Sequence, residues 1–287
     1  MFPGIIWRDL ESRGVVKMPS SIMAMRDGWI IWMPFSLTDG KEVLMAVVEK
    51  TIDILGDDAF CERIIARRLL TGDPVDIYDE VVQSLRNYAF YRMAGVQSLK
   101  LTKLKTVNTY ACANITSLLS LELPECTTVS DSAFRGCSGL KELNLPLVTS
   151  TGSYSFVDCA ALEKVQMDRL ATVGTGTFQN CKKLQEIILP RASTIMNAAF
   201  YSCDVLKKLD LPSATQIRSN IFTSSVEELN IGPNISSIAT DAFRLAGAGL
   251  VINLPVAEGV ISGAPWGATD AVINYEVPYS GDVPMPT

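Results

Sequence analysis

Histidine is missing from all 287 residues. With it go the commonest general base, the commonest zinc ligand and the usual partner of a nucleophilic serine or cysteine. The seven cysteines, Cys61, Cys112, Cys126, Cys137, Cys159, Cys181 and Cys203, form no Cys-x-x-Cys pair, and their number is odd. Neither a zinc knuckle nor a fully paired disulfide framework is suggested. No uncharged apolar run reaches the ~18 residues that a spanning helix needs. A surplus of basic charge is also lacking: 25 Lys and Arg stand against 31 Asp and Glu, for a net charge of -6 and a sequence pI near 4.9. That balance argues against a nucleic-acid or anionic-membrane partner. The opening stretch MFPGIIWRDLESRGVVK sets Arg8, Asp9 and Glu11 where a secretory signal has to be apolar. A virion-associated placement, or a cytoplasmic one before assembly, is therefore expected over classical secretion.

What is present is a repeat. Steps of 22 residues from Phe134 reach Phe156, Phe178, Phe200 and Phe222, and backward steps reach Cys112 and Phe90; Phe243 follows after 21. Three positions beyond this aromatic column stand Met93, Ile115, Cys137, Cys159, Cys181, Cys203 and Ser225. Further on comes an alternating pair, such as Leu121 and Leu123, Leu143 and Leu145, Val165 and Met167, Ile187 and Leu189, or Leu209 and Leu211. Alternation of period two marks a strand with one buried face. Proline often closes that strand, at Pro124, Pro146, Pro190 and Pro212, where a missing N–H ends ladder pairing. A further column, Val107, Val129, Thr151, Val173, Ile195, Ile217 and Ile238, reads as a second short extended segment. One such unit has no second layer to cover its apolar side, so stacking is required to close a core.

Units such as "VSDSAFRGCSGLKELNLP" and "STIMNAAFYSCDVLKKLDLP" resemble the BspA-type, or treponemal-surface-antigen-type, leucine-rich repeat family over residues 84 to about 245. Two departures are local: Cys112 stands in the aromatic column and Asp168 in the proline position. The resemblance implies an α/β repeat solenoid. This would be a right-handed leucine-rich-repeat stack of about 22-residue units, with a parallel sheet on one side, short helical turns at AFxxC and a cap at each end. It also implies bacterial surface adhesion. The terminal run "PWGA…INY" is similar to the ends of phage- and prophage-encoded members, which implies a phage structural protein such as a tail-associated component.

The organisation expected is an N-terminal region and cap over 1–83, repeats over 84–245, a C-terminal cap over 246–276 with Trp266 as a plug, and a flexible tail over 277–287. Residues 1–83 hold 9 basic and 14 acidic residues, a net of -5, so the repeats are almost neutral. Within the first region "EVLMAVVEKTIDIL" reads as a strand and "DDAFCERIIARRLL" as a helix, while "DAF" at 58–60 reads as a degenerate repeat unit; the first 40 residues show no pattern.

Chemistry finds little purchase. Cys137, Cys159, Cys181 and Cys203 share a column with Met93 and Ile115, so they read as buried, unpaired packing thiols, and Phe134, Phe156, Phe178, Phe200 and Phe222 form a second structural ladder. No catalytic residue, cofactor or metal is expected. Outward on the strand, Glu142, Lys164, Glu186, Lys208 and Glu228 alternate in sign, which makes lateral neighbours attract. The outward stripe Asn144, Gln166, Asp210 and Asn230 is the candidate ligand-facing surface. The expected function is non-catalytic binding or adhesion through a protein or cell-surface glycan. The alternative is a spacer whose N-terminal 83 residues carry anchoring or assembly.

Overall fold

The computed structural model describes residues 23–26, 29–32, 75–80, 82–93 and 95–282. The chain divides into two units, Met1–Ile54 and Leu55–Thr287. In the first, Met23–Arg26 and Trp29–Trp32 pair antiparallel, with Met23 opposite Trp32 and Arg26 opposite Trp29. Strands of four residues are too short for a period to show, which is why this stretch gave no pattern. The segments expected as a strand at 42–55, a helix at 57–70 and a repeat unit at 58–60 lie outside the described residues.

The second unit is a stack of coils carrying parallel strands on two sides. The broad side holds Val75–Asp79, Val96–Leu101 and Ser120–Glu122, then Glu142–Asn144, Lys164–Gln166 and Glu186–Ile188, then Lys208–Leu211, Glu228–Ile231, Val251–Asn253 and Val272–Asn274. Backbone pairing is continuous within each of these three sets. The narrow side is one eight-stranded sheet of two-residue strands, from Ser84–Leu85 to Ser237–Ile238. The expected single sheet thus has a counterpart, whose inward row is the column of Val129, Thr151 and Val173.

Register follows the repeat. Leu143, Val165 and Ile187 are lateral partners on the broad side, and Val129 pairs with Thr151 on the narrow one. One coil is shorter: Leu209 pairs with Leu229, and Val226, buried at 1 % exposure, closes the gap that Leu206 fills one coil earlier. The strands Val251–Asn253 and Val272–Asn274 continue the broad ladder past residue 245.

The expected helical turns at AFxxC are replaced by linked tight turns, and the described residues contain no helix. The reason lies in the backbone. Two residues before and two after the aromatic have positive φ, as at Ser132 (53°) and Gly136 (69°), Tyr154 (58°) and Asp158 (62°), and Ala198 (55°) and Ser202 (54°). A left-handed residue every fourth position cannot propagate a right-handed helix. Hydrogen bonds alternate accordingly. The N–H groups of Ala133, Arg135 and Cys137 bond within the turn, to Ser130, Ser132 and Phe134; those of Ser132, Phe134 and Gly136 bond to Ser153, Ser155 and Val157 of the next coil. Gly136 leaves room for Asn114, whose Oδ1 lies 2.3 Å from where a Cβ would stand, whereas the equivalent positions Asp158 and Ser202 carry side chains.

The core is a set of ladders. Phe134 and Phe156 stack at 5.4 Å, Phe156 and Phe178 at 5.9 Å, Phe178 and Phe200 at 5.9 Å and Phe222 and Phe243 at 5.5 Å. Trp266 ends the column edge-on to Phe243 at 6.1 Å. It is fully buried, and its indole N–H donates to the Ser262 carbonyl at 2.8 Å.

Candidate recognition faces

The cysteine column lies wholly inside. Cys137, Cys159, Cys181 and Cys203 are free thiols with no exposed surface. Each donates to a carbonyl of the aromatic column one coil back: Cys137 to Cys112 at 3.2 Å, Cys159 to Phe134 at 3.4 Å, Cys181 to Phe156 at 3.4 Å and Cys203 to Phe178 at 3.2 Å. Phe134 O therefore receives the N–H of Cys137 as well as the S–H of Cys159. Burial pushes the Cys137 thiol up to about 12 and holds Cys159 and Cys181 well above their ordinary range. A thiol kept protonated and out of solvent is neither a nucleophile nor a metal ligand. Among the described residues no group of three or more Cys, Asp or Glu is arranged to hold a metal ion.

The outward stripe of the broad side divides in two. Asn144 is exposed and Gln166 partly so, on the paired strands Glu142–Asn144 and Lys164–Gln166, while Ile188 interrupts the polar run. Gln166 turns sideways, donating to Asp168 Oδ1 at 3.1 Å, so the carboxylate in the proline position has a partner. Asp210 and Asn230 are not open surface: they are 6 % and 1 % exposed. Asn230 donates to Asp210 Oδ1 at 2.8 Å, Asn253 to Asn230 at 2.7 Å, and Asn274 to Asn253 at 2.8 Å. The structure adds Asn253 and Asn274, whose signal was the recurring "LNI", "INL" and "INY".

What covers this end of the stripe is the chain's own C-terminal segment. The Asp282 N–H donates to Asp210 Oδ2 at 2.7 Å, and Lys208 Nζ donates to Asp282 Oδ2 at 2.8 Å. Residues 277 to 282, read as part of a flexible tail, thus lie back across strands 72 residues earlier in sequence.

Charges on the broad side meet in complementary pairs. Lys100 reaches Glu122 at 2.8 Å, and Lys164 reaches Glu186 at 2.9 Å. Lys208 is 3.9 Å from Glu228 but closer to Asp282. The alternation of sign thus produces ion pairs at two of its four junctions, and Lys208 is shared with the tail. Around the corner from this side, a shallow groove lined by Thr149, Arg169, Ala171, Arg191 and Ser213 sets two arginines in register on neighbouring coils.

Comparison with known proteins agrees with this geometry. The family profile described as the BspA type leucine rich repeat region matches residues 74–170 and 149–253, with six copies. The chain belongs to the BspA-type leucine-rich repeat family. None of the curated proteins compared matches it. A solved leucine-rich repeat protein from Bacteroides ovatus is 20 % identical, with a TM-score of 0.47, covering 68 % of this chain and 59 % of that one. A leucine rich cell surface protein from Faecalibacterium prausnitzii is 18 % identical, with a TM-score of 0.29, covering 69 % and 70 %. The chain thus spans less than two thirds of the Bacteroides ovatus protein. BspA-type repeats are generally protein-binding and adhesion scaffolds. The ladders described above are what the repeat columns become when the coils stack.

Proposed function

We propose that the chain is a non-catalytic recognition module that holds a protein or a cell-surface glycan against the open middle of its broad side, in an adhesive role. The observation that carries this reading is the three-stranded set Glu142–Asn144, Lys164–Gln166 and Glu186–Ile188, which presents polar side chains outward from a backbone in continuous parallel register. Such a surface needs little ordering on binding, and preorganisation converts contact into affinity. Family membership supports the same class of role. The reading puts the protein on the outside of a virion or a cell, where such ligands lie.

The test is binding of the full chain to bacterial cells and to purified cell-wall glycan. Asn144→Arg with Gln166→Ala is expected to weaken binding at least tenfold while moving the urea midpoint little, since only the partly exposed bond from Gln166 to Asp168 is lost. Unchanged binding by this double variant would overturn the assignment of the face.

A further inference from the structure

The C-terminal part of the broad side is separate from that open middle, since backbone pairing stops between Glu186–Ile188 and Lys208–Leu211. There the structure holds a peptide already in place. The Asp282 main-chain N–H is read by Asp210 Oδ2 at 2.7 Å and its carboxylate by Lys208 Nζ at 2.8 Å, so one residue is recognised through backbone and side chain together. At Gly281 a Cβ would stand 2.3 Å from Tyr279 Oη and 2.8 Å from Asp210 Cγ, so a larger residue there has to push Tyr279 aside or lift the segment off Asp210. Tyr279 is settled enough that burial, then the charges of Asp210 and Asp282, hold its hydroxyl above its ordinary range.

The receiving groups are positioned by the fold and not by the tail. Asp210 Oδ1 is fixed by Asn230 Nδ2 at 2.8 Å, and that amide stands at the head of the chain running through Asn253 to Asn274. Asn230 Nδ2 also reaches Glu228 Oε1 at 2.8 Å, and Lys208 lies between Glu228 at 3.9 Å and Asp210 at 4.0 Å. The occupant, in contrast, is lightly held. The Asp282 side chain is 85 % exposed, and ion pairs of that kind are weak. A tethered segment competes at an effective concentration of order millimolar, so a partner in trans gains most once the tail is unseated. It can be displaced.

We infer that this surface is a docking site for an extended peptide of a partner protein carrying an aromatic-x-Gly-Asp sequence, and that Tyr279–Asp282 is its resident occupant. The Lys208 cation and the Asp210 acceptor select a carboxylate on a residue whose N–H is available; the 2.8 Å that a Cβ on residue 281 would leave to Asp210 Cγ selects the glycine, and the Tyr279 hydroxyl brought beside Asp210 selects the aromatic. Strength of binding in trans is set by how readily the tail leaves.

The test uses the full chain and a fluorescein-labelled peptide of sequence Val-Pro-Tyr-Ser-Gly-Asp, followed by anisotropy. Gly281→Val unseats the tail by steric contact with Asp210 and Tyr279 while leaving the receiving side chains themselves unchanged, and is expected to bind the peptide at least tenfold more tightly than the wild type. Adding Lys208→Glu to that variant, or replacing the peptide's aspartate by alanine, is expected to reverse the gain. Equal binding by wild type and Gly281→Val, or a gain that survives Lys208→Glu, would overturn the inference. A wild-type dimer on size exclusion that Gly281→Val abolishes would overturn it too, in favour of tail exchange between copies. The open middle of the face takes no part, so this result and that of the cell-binding test are independent.

Discussion

At the residue scale the cysteine column shows how a reactive side chain becomes structural. Its thiols close hydrogen bonds to carbonyls that would otherwise have a single donor, which neither the Met nor the Ile of the same column can do. Cys159→Ala is expected to lower stability by about 1–3 kcal/mol, through a small cavity and the lost bond to Phe134, read as a shift of the urea midpoint. The same column fixes a pH dependence. Burial holds Cys137 near 12 and keeps Cys159, Cys181 and Cys203 well above the ordinary value of 9.0. Stabilisation is therefore complete below pH 9.0 and declines as pH rises toward the folded values, because only the unfolded chain releases those protons. Each thiol contributes a slope of about 1.4 kcal/mol per pH unit. Urea unfolding at pH 8 and pH 10 in reductant measures it, and equal stability at both would contradict the burial. Ser225, in this column on the shorter coil, has a buried hydroxyl with no partner among the described residues. Ser225→Ala is expected to be neutral or to stabilise by about 1 kcal/mol in the same assay.

At the element scale the turns were the part of the fold least visible in sequence. "AFRGC" has helix-compatible residues at its centre, and only the left-handed backbone at Ser132 and Gly136 turns the chain out of a helix. Those φ values are imposed by the neighbouring coil, which takes every second N–H. The strands were legible because alternation is local. Their ends were less so, as at Gly232, where a Cβ would lie 1.7 Å from the Pro212 carbonyl. Gly232→Ala is expected to cost at least about 2 kcal/mol, seen as a lower melting temperature, since backbone on both sides would have to move. The tail over Lys208 and Asp210 is an element no local pattern announces. Lys208 is raised by its hydrogen bond to Asp282 and by the nearby Asp210 and Glu228, while Tyr279 is raised by burial and by Asp210 and Asp282. Both shifts favour the protonated group, so the contact is whole below about pH 10 and weakens above it. Binding of the labelled peptide by the wild type measured from pH 8 to pH 9.5 should accordingly stay constant.

At the scale of the whole molecule the coils interact with their neighbours and little else, so damage should stay local. Phe178→Ala, which removes a ring stacked on Phe156 and Phe200, is expected to cost about 3–5 kcal/mol. Native-state hydrogen exchange should show lost protection in the coils around residues 156 to 200 before those around 99 or 252. Uniform loss along the stack would mean that the array unfolds as one unit. Recognition belongs to this scale as well. The stripe Asn144, Gln166, Asp210 and Asn230 was one column in sequence, and the folded chain splits it into an open half and a half where Asp282 closes over Asp210 from 72 positions away.

The sequence by itself determined the repeat, the strands and the inward columns, because each rests on spacing along the chain and on which side chains avoid water. It also determined that Phe134 and Cys137 belong to ladders, since equivalent positions in stacked coils have to meet. Only the tertiary structure decided the turn backbone, the second sheet, the shorter coil's repacking around Val226 and the burial of Asp210 beneath Asp282. These depend on hydrogen bonds and contacts between residues about 20 to more than 70 apart, and such pairings follow from packing in space and leave no period in the sequence.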